Sequence, residues 1–357
     1  MAHAISSTEM CVHDIQREIN IRGKEIHCLS VRKKLPYTHE LRYIGIWFDA
    51  HMTWARHIRE AVAKAKTRLW ALKKGVGASW GLHSQLFLRL VRGVVIPSLF
   101  YGAPVWAAVL GVECRLDEID GTLAQATRLA FNLERFTSVE ASLVLAGIGP
   151  ARLHIMRALV RYMYRYRRAA LSSPPATIHR SYATPDELGG AWFRRTVVRR
   201  QGLDMTRAHP RQIMQSVDTA LLHEWQRRWD NAEAGRLLHA LLPLSGAPWT
   251  PDDMDTCSRA EVVWVARFMT GHCHLGSFKV PQDEETLAHC VLCEEQYDRE
   301  HFLADCDGVV DLREKWLTSE KAITGTLHDL IWKHCGRLGA FLGSVHDRIR
   351  AKEASEE

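Results

Sequence analysis

The feature that most constrains the fold of this chain is a change in the spacing of its apolar residues at Thr53. From there to about residue 171, apolar side chains recur every three to four positions, which is the spacing of helices with one buried face. Helix start and stop signals divide this region into about five helices. After the first, the others are expected from Ser84 to Pro97, near 117–132, near 139–147 and from just after Pro150. We therefore predict a mainly α fold built around a helical bundle.

The first of these helices is predicted to be amphipathic, with Thr53 as its cap. Its buried stripe would consist of Trp54, Ile58, Val62, Ala65, Leu69 and Leu72. Its opposite face carries Arg56, Arg59, Lys64, Lys66, Arg68, Lys73 and Lys74. Several tryptophans lie at apolar helical positions, and we expect core packing rather than base stacking for them: Trp54, Trp70, Trp80, Trp106, Trp225 and Trp229.

The first 50 residues predict β-structure instead. The segment "INIRGKEIHC" alternates apolar and polar residues on both sides of Gly23, which indicates a hairpin. The segment "LRYIGIWFD" is apolar on both faces, so we expect one strand buried on both sides, with Gly45 as a bulge or a close backbone approach. Two or three strands do not form a stable sheet alone. They either pack on the helices or form the edge of a sheet whose other strands are missing.

The segment "HCVLCEEQYDREHFLADC", residues 289–306, predicts a metal site with the spacing Cys-x2-Cys-x7-His-x4-Cys. A Cys-x2-Cys turn brings two thiolates to one ion, and the second pair completes a tetrahedron. The N-terminus has neither the basic nor the apolar region of a signal peptide, so we expect an intracellular, non-secreted protein. In such a reducing compartment, clustered cysteines are more typical of metal ligands than of disulfides. The predicted ligands of a structural zinc are Cys290, Cys293, His301 and Cys306.

Two alternatives to this zinc site stay open. The three cysteines and the histidine could be unrelated structural residues, or the ligands could include His289, Cys273 and His272. His301 and Cys306 are five residues apart, about 140° around a helix, so they cannot share one helix face. We therefore expect a helix that ends before Cys306. The acidic neighbours in "CEEQYDRE" suggest that the ion stabilises the fold rather than binding phosphate.

The charge of the chain is distributed unevenly. Residues 151–200 contain 11 Lys or Arg and 2 Asp or Glu, a net charge of +9. Residues 201–357 contain 17 Lys or Arg and 26 Asp or Glu, a net charge of −9. Arginine binds phosphate and tyrosine stacks on bases, so the basic block predicts contact with RNA or DNA. The alternative is an ordinary solvated helix face. The predicted contacts, along one helix face in "RALVRYMYRYRR" and then in "WFRRTVVRR", are Arg157, Arg161, Arg165, Arg168, Arg194, Arg195, Arg199 and Arg200.

Several segments together resemble the reverse transcriptases of non-LTR, jockey-like retrotransposons. In that family a Tyr-x-Gly strand closes the palm, and a Thr-Trp-x-x-His-Ile helix leads to a Pro-x-Leu-x-Tyr-Gly-x-x-x-Trp element of the thumb. The matching positions here are Tyr43, Gly45, Thr53, Trp54, His57, Ile58, Pro97, Leu99, Tyr101, Gly102 and Trp106. "EASLVLAGIGPARLHI", "EWQRRWDNAEAGRLLHALLP", "FMTGHCHLGSF" and the cysteine-rich segment extend the resemblance from about residue 16 to residue 345.

The resemblance implies an RNA-directed DNA polymerase family, but one essential motif is absent. The family's two-metal chemistry uses a Tyr/Phe-x-Asp-Asp turn, and the only Asp-Asp pair here is Asp252–Asp253, in a loop without the aromatic residue. Asp49 alone cannot form a two-metal site. We therefore expect a C-terminal part of such a protein that is not catalytic by itself. The alternatives are a host-adopted helical zinc-containing scaffold that binds protein, and part of a complete polymerase whose palm is encoded upstream.

The resemblance also implies a domain order. We expect a β-rich palm remnant over 1–50, a helical thumb over 51–172, a basic-to-acidic linker with helices over 173–256, a zinc-knuckle domain over 257–345 and a charged tail over 346–357. The expected partners are RNA or DNA through 151–200 and a palm-containing polymerase chain. No run of about 18 apolar residues is present, so no membrane span is expected.

Overall fold

The structure is a computed structural model that describes residues 26–28, 33–35, 39–167, 209–273, 289–295, 301–317 and 326–356. It is mainly α, as predicted, with short strands in its N-terminal part. Its contacts divide the chain into two compact units, Met1–Glu60 and Ala61–Glu357. The five domain boundaries expected from the sequence stay a prediction.

The strands form two antiparallel hairpins. β1 (Ile26–Cys28) pairs with β2 (Lys33–Leu35), and β3 (Glu40–Tyr43) pairs with β4 (Ile46–Asp49). The turn predicted at Gly23 lies outside the described residues.

The prediction of one continuous buried strand over residues 41–49 is wrong. The chain reverses at Ile44 and Gly45, whose φ angles are 45° and 82°. Positive φ at both central residues is the geometry of a two-residue hairpin turn whose twist matches its strands. Ile44 is 65% exposed, so its apolar side chain does not enter a core. A β-branched residue at positive φ is uncommon, which is why the pattern indicated an uninterrupted strand.

The helices follow in chain order. They are α1 (Ala55–Lys73), α2 (Ser84–Leu90), α3 (Ile96–Leu99), α4 (Glu113–Phe131), α5 (Val139–Ala146), α6 (Ala151–Arg167), α7 (Pro210–Asp230), α8 (Arg236–Leu241), α9 (Arg259–Thr270), α10 (His301–Ala304), α11 (Val310–Trp316), α12 (Leu327–Lys333) and α13 (Cys335–Glu356). A π-helical turn over Val91–Val95 separates α2 from α3, and 3-10 turns occupy Ala107–Gly111 and Asp307–Val309. The helices predicted near 117–132 and 139–147 are confirmed as α4 and α5.

The start of α1 is fixed by two side chains rather than by Thr53 alone. The Asp49 carboxylate accepts the N–H groups of His51, Thr53 and Trp54 at 3.1, 2.9 and 2.8 Å. Burial alone would raise the pKa of Asp49, but these hydrogen bonds hold it below its ordinary value. Thr53 Oγ1 accepts the Ala55 N–H at 3.4 Å, but the first helical N–H bonds to Trp54 O, so Thr53 contributes from one position before the predicted cap.

The helical segment that was predicted to run from Ser84 to Pro97 does not end at Pro97. The chain stays helical through the π turn and continues as α3 to Leu99. Proline lacks an N–H and its ring clashes with the carbonyl four residues before it. The wider π turn, which ends at Val95, accommodates both effects, because it changes the hydrogen-bonding register in the turn that precedes Pro97.

A buried ion-pair network joins four helices of the larger unit. Asp120, on α4, is 1% exposed. One of its oxygens accepts the Ala151 N–H at the start of α6 at 2.6 Å, and the other accepts from Arg228 of α7 at 2.9 Å. Arg228 also donates to Glu140 of α5 at 2.7 Å. Burial raises the pKa of Asp120, and the Ala151 N–H and the Arg228 charge oppose that rise.

Arg259, at the first position of α9, is also buried. Its guanidinium donates to the carbonyls of Gly77, Leu82, Leu129 and Ala130 at 2.7–3.3 Å. The last two carbonyls belong to the final turn of α4, where a helix leaves acceptors without intrahelical partners. Arg259 therefore caps α4 and ties the loop after α1 to α9.

The core expectation for the tryptophans is correct at four positions and wrong at two. Trp54, Trp106, Trp225 and Trp229 are at most 5% exposed. Trp70 and Trp80 are 53% and 61% exposed.

Candidate metal centre and basic surfaces

The structure brings together the four side chains that the sequence spacing selected. The ligand atoms of Cys290, Cys293, His301 and Cys306 all lie within 4.8 Å of one another. The sulfur atoms of Cys290 and Cys306 are 3.7 Å apart, and Cys293 Sγ lies 3.3 Å from His301 Nε2. Zn–S and Zn–N bonds of about 2.3 and 2.0 Å in a tetrahedron place such atoms roughly 3.5–3.8 Å apart. The cluster therefore has the donor set and the dimensions of a metal-binding site.

The Cys-x2-Cys turn is shaped by its backbone. Cys290 N donates to Glu295 O and Glu294 N donates to Cys290 O, each at 2.7 Å. Glu294 takes a left-handed conformation with φ of 66°, which closes the turn. Leu292 N donates to Cys290 Sγ at 3.4 Å, so a backbone N–H already points at this sulfur. Both cysteines of the turn thus face one point.

The second pair of ligands comes from a helix end, as expected. His301 begins the short helix α10, which ends at Ala304, and Cys306 lies just beyond it. Asp305 N and Cys306 N both donate to His301 O, at 2.8 and 2.9 Å, which bends the chain back toward the ring. The prediction that Cys306 lies past a helix end is confirmed.

The cluster is largely shielded from solvent. Cys290, Cys306 and His301 are at most 4% exposed. Burial and the neighbouring Cys290 thiol raise the pKa of Cys306 to about 12. A metal ion reverses this effect, because bound cysteine is deprotonated.

The alternative ligands lie elsewhere. His289 is exposed, Cys273 is buried outside the cluster, and the His272 ring stacks edge-on against Phe136 with centroids 4.7 Å apart. In the parts of the chain that the structure describes, the cluster that could hold a metal at this end contains the four predicted residues and none of these three.

Helix α13 supports this cluster from outside. Arg348 forms two hydrogen bonds with the Asp311 carboxylate, at 2.5 and 2.6 Å, and a third with Gly308 O at 2.9 Å. Lys352 donates to Val291 O within the Cys-x2-Cys turn. The Arg348 hydrogen bond lowers the pKa of Asp311 to about 2. The residues next to each ligand pair are thus anchored to one long helix.

The sequence reasoning missed a second group of potential ligands, formed by Asp253, Cys257 and Cys335. Cys257 and Cys335 lie far apart in the chain, in no recognisable ligand spacing, so no local pattern indicates their proximity. Hydrogen bonding to Cys257, burial and the negative charges of Cys257, Asp253 and Glu261 together raise the pKa of the Cys335 thiol.

The structure describes only part of the basic block. Arg161 is exposed on α6, whereas Arg157 forms an ion pair with Asp218 of α7 at 2.7 Å. Arg165 lies on the same helix, one turn beyond Arg161. The other predicted contacts lie outside the described residues: Arg168, Arg194, Arg195, Arg199 and Arg200.

A second basic surface runs along α1. Residues 61–112 contain seven Lys or Arg and no Asp or Glu. Five of these cations are exposed on or just after α1: Lys64, Lys66, Arg68, Lys73 and Lys74. The exposed Trp70 ring lies among them, with Lys73 Nζ 4.5 Å from its centroid. The sequence pattern identifies these residues as the polar face of the helix but does not indicate a binding role for them.

No single helix in the described ranges has the length and hydropathy of a membrane span, but the bent pair Val139–Ala146 and Ala151–Tyr162, at 55°, meets both requirements jointly.

Comparison with known proteins finds relatives among retrotransposon proteins. The retrovirus-related Pol polyprotein from type-1 retrotransposable element R1 4 of Nasonia vitripennis is 23% identical over 293 residues, which are 80% of this chain and 65% of that protein. The retrovirus-related Pol polyprotein from type-1 retrotransposable element R1 of Bradysia coprophila is 24% identical over 284 residues, 78% of this chain and 25% of that protein. A putative 115 kDa protein in type-1 retrotransposable element R1DM of Drosophila melanogaster is 23% identical over 286 residues, which are 79% of this chain and 25% of that protein.

The chain thus spans just under two thirds of the first of these relatives and a quarter of the other two. No family model and no solved structure matches it. The resemblance seen in the sequence is confirmed: the relatives are proteins of R1 non-LTR retrotransposons, most of them Pol polyproteins, at 22–24% identity over about 80% of this chain, which supports a jockey/R1-like retrotransposon protein.

Proposed function

We propose that this chain is a nucleic-acid-binding segment of an R1-like reverse transcriptase, which contains the end of the palm, the thumb and a zinc-binding region. The observation that carries the proposal is the clustering of cations on two acid-poor stretches. Residues 151–200 have a net charge of +9, and residues 61–112 contain seven basic residues and no acidic ones. Homology to Pol polyproteins makes an RNA or DNA strand the natural partner of such surfaces.

The two basic stretches have different parts in this proposal. On α6, Arg161 and Arg165 are one turn apart and would contact phosphates. Arg157 would first have to break its ion pair with Asp218. On α1, the exposed cations surround Trp70, which offers a ring for base stacking. Phosphate contacts position a protein without reading the base sequence, so the preference for a particular sequence should be weak.

The Cys3His cluster would hold a structural zinc ion. Three thiolates and one imidazole suit zinc, and such closed four-ligand sites contribute directly to folding. The dimensions of the cluster and the burial of Cys290, His301 and Cys306 support this role. Acidic residues surround the segment, which argues against a direct phosphate contact there.

By itself the chain would not polymerise DNA. It contains no Tyr/Phe-x-Asp-Asp motif, and the Asp49 carboxylate already accepts three backbone N–H groups at the start of α1. Asp253, in the only Asp-Asp pair, accepts the N–H groups of Cys335 and Gly336. Catalysis would therefore require palm carboxylates from another polypeptide or from additional sequence. We place the protein inside the cell, where thiol ligands stay reduced.

A salt titration of RNA binding tests the proposal. The variant Arg161→Gln/Arg165→Gln/Arg168→Gln removes three cations from the basic block, and Gln preserves helix propensity. If each contacts one phosphate of a single strand, the negative slope of log affinity against log salt concentration should become less steep by roughly 2. The matched control is Arg227→Gln/Arg337→Gln/Arg350→Gln, which removes three exposed arginines from the acidic part of the chain.

Fluorescence anisotropy with a labelled single-stranded RNA gives both slopes. We expect the control to keep the slope of the intact chain. If both variants behave alike, net charge rather than the basic block governs binding. If the intact chain binds no nucleic acid at low salt, the protein-binding scaffold is the better account.

A further inference from the structure

Three further metal-ligating groups converge away from the Cys3His cluster. The carboxylate of Asp253 and the thiols of Cys257 and Cys335 each offer an atom within 4.8 Å of the other two. Cys257 is 7% exposed and Cys335 is fully buried. The two thiols belong to different parts of the chain, one just before α9 and the other at the first residue of α13.

The local backbone fixes the directions of these groups. Cys257 N donates to Asp253 O at 3.1 Å, so a single turn of the chain brings the thiol of Cys257 close to the carboxylate of Asp253. Asp253 Oδ1 accepts from Cys335 N at 3.1 Å, and Oδ2 accepts from Gly336 N at 2.9 Å. Each carboxylate oxygen has two lone-pair sites and uses one for these bonds, so Asp253 is positioned and still able to bind an ion.

A fourth acidic group borders the same space. A Cβ atom on Gly336 would lie 3.3 Å from Cys257 Sγ, 3.5 Å from Asp253 Oδ2 and 3.7 Å from Glu261 Oε2. Glu261 is held there by the capping box of α9, in which its Oε2 accepts the Ser258 N–H at 2.6 Å. Since Gly336 has no side chain, the space between these three donors is left open.

We propose that Asp253, Cys257 and Cys335 bind a second metal ion, with Glu261 placed to complete the coordination. Two thiolates select a soft or borderline ion such as zinc over calcium or magnesium. Four acidic groups that approach one another, two of them buried thiols and two of them partly exposed carboxylates, repel one another when ionised, and a divalent cation removes that repulsion. The ion would join the turn before α9 to the start of α13.

This second ion would also stabilise the Cys3His cluster indirectly. Helix α13 begins at Cys335 and supports the first cluster through Arg348 and Lys352. Near its start the helix approaches α9 so closely that a Cβ at Gly339 would lie 2.4 Å from Glu261 O. A metal at the second site would therefore hold the helix on which the first one depends.

Metal analysis of the full-length protein tests the proposal. Protein purified without chelator and passed through a desalting column should contain two zinc equivalents. Cys257→Ser/Cys335→Ser should contain one, and so should Cys290→Ser/Cys306→Ser. One equivalent that disappears only with Cys290→Ser/Cys306→Ser would overturn the second site and leave the first intact. One equivalent that disappears only with Cys257→Ser/Cys335→Ser would support the second site and contradict the first.

Thiol mapping on the intact chain avoids reliance on variants that fail to fold. With zinc bound, Cys257 and Cys335 should resist alkylation under native conditions and become reactive after a chelator is added. Exposed Cys114 is the internal control, because it should react with and without chelator. If Cys257 and Cys335 become reactive only after a reductant is added, they form a disulfide and the metal site is wrong. If the chelator does not change their reactivity, the proposal also fails.

Discussion

Replacing Arg228 with methionine isolates the energetics of the buried ion-pair network. The variant removes the cation that Asp120 and Glu140 share and keeps a long apolar side chain in its place. Asp120 is 1% exposed and would keep only the Ala151 N–H. Removing one partner of a buried pair costs about 3–5 kcal/mol. The Arg228 side chain is 37% exposed, so solvent screening weakens its pairing and we expect a smaller loss, about 2–3 kcal/mol.

The pH dependence of this loss gives a sharper test than its size. Burial raises the pKa of Asp120 above its ordinary 3.8, and Arg228 opposes the rise. Without Arg228 the pKa should rise further. A carboxyl group whose pKa is raised by folding binds more protons in the folded state, so its contribution to stability falls as pH rises above 3.8. The deficit of Arg228→Met should therefore be largest at neutral pH and shrink toward pH 5.

Urea unfolding at several pH values measures this deficit, with Arg227→Met as the matched control. Arg227 is the exposed neighbour, and its replacement should change stability by less than about 0.5 kcal/mol. Adding Asp120→Asn to Arg228→Met removes the unpaired charge and should recover about 1 kcal/mol or more. A deficit equal to that of the control, or one that does not change with pH, would refute the electrostatic reasoning.

Three further outcomes follow from the described contacts. Arg259→Met should lower stability by more than about 3 kcal/mol, because it leaves four carbonyls without this donor; Arg259→Lys should recover only part of the loss in thermal unfolding, since an ammonium cannot reproduce the planar fork. Zinc affinity, measured by competition with a chromophoric chelator, should fall from pH 7.5 to 5.5, because thiol and imidazole ligands must lose their protons to bind. The purified chain should not extend a primer on an RNA template with Mg²⁺ or Mn²⁺; template-dependent synthesis that survives a clean control preparation would contradict the non-catalytic assignment.

The sequence predicted the parts of this structure that depend on local periodicity and spacing. The helical spacing and caps located α4 and α5, and the apolar pattern identified the exposed cations of α1. The spacing of Cys290, Cys293, His301 and Cys306 selected the four side chains that the structure brings together. The five-residue separation of His301 and Cys306 predicts that Cys306 lies past a helix end, where the structure has it.

Features that depend on unusual backbone or on long-range contacts could not be predicted in this way. The reversal at Ile44 uses a left-handed conformation that a β-branched residue seldom adopts. The helix continues through Pro97 because a π turn precedes it, and no periodicity indicates such a turn. Arg157 has an ion-pair partner 61 residues away, so its sequence neighbours could not reveal that it is already paired.

Cross-linking of the intact chain to RNA tests whether the two basic stretches bind nucleic acid. A uniformly photoreactive single-stranded RNA is bound at low salt and irradiated, and the cross-linked peptides are identified by mass spectrometry. We expect cross-links in residues 151–200 and along α1 near Trp70, and these should disappear as salt is raised. Cross-links confined to residues 289–317, around the Cys3His cluster, would instead identify the metal centre as the nucleic-acid-binding surface and rule out that role for the two basic stretches.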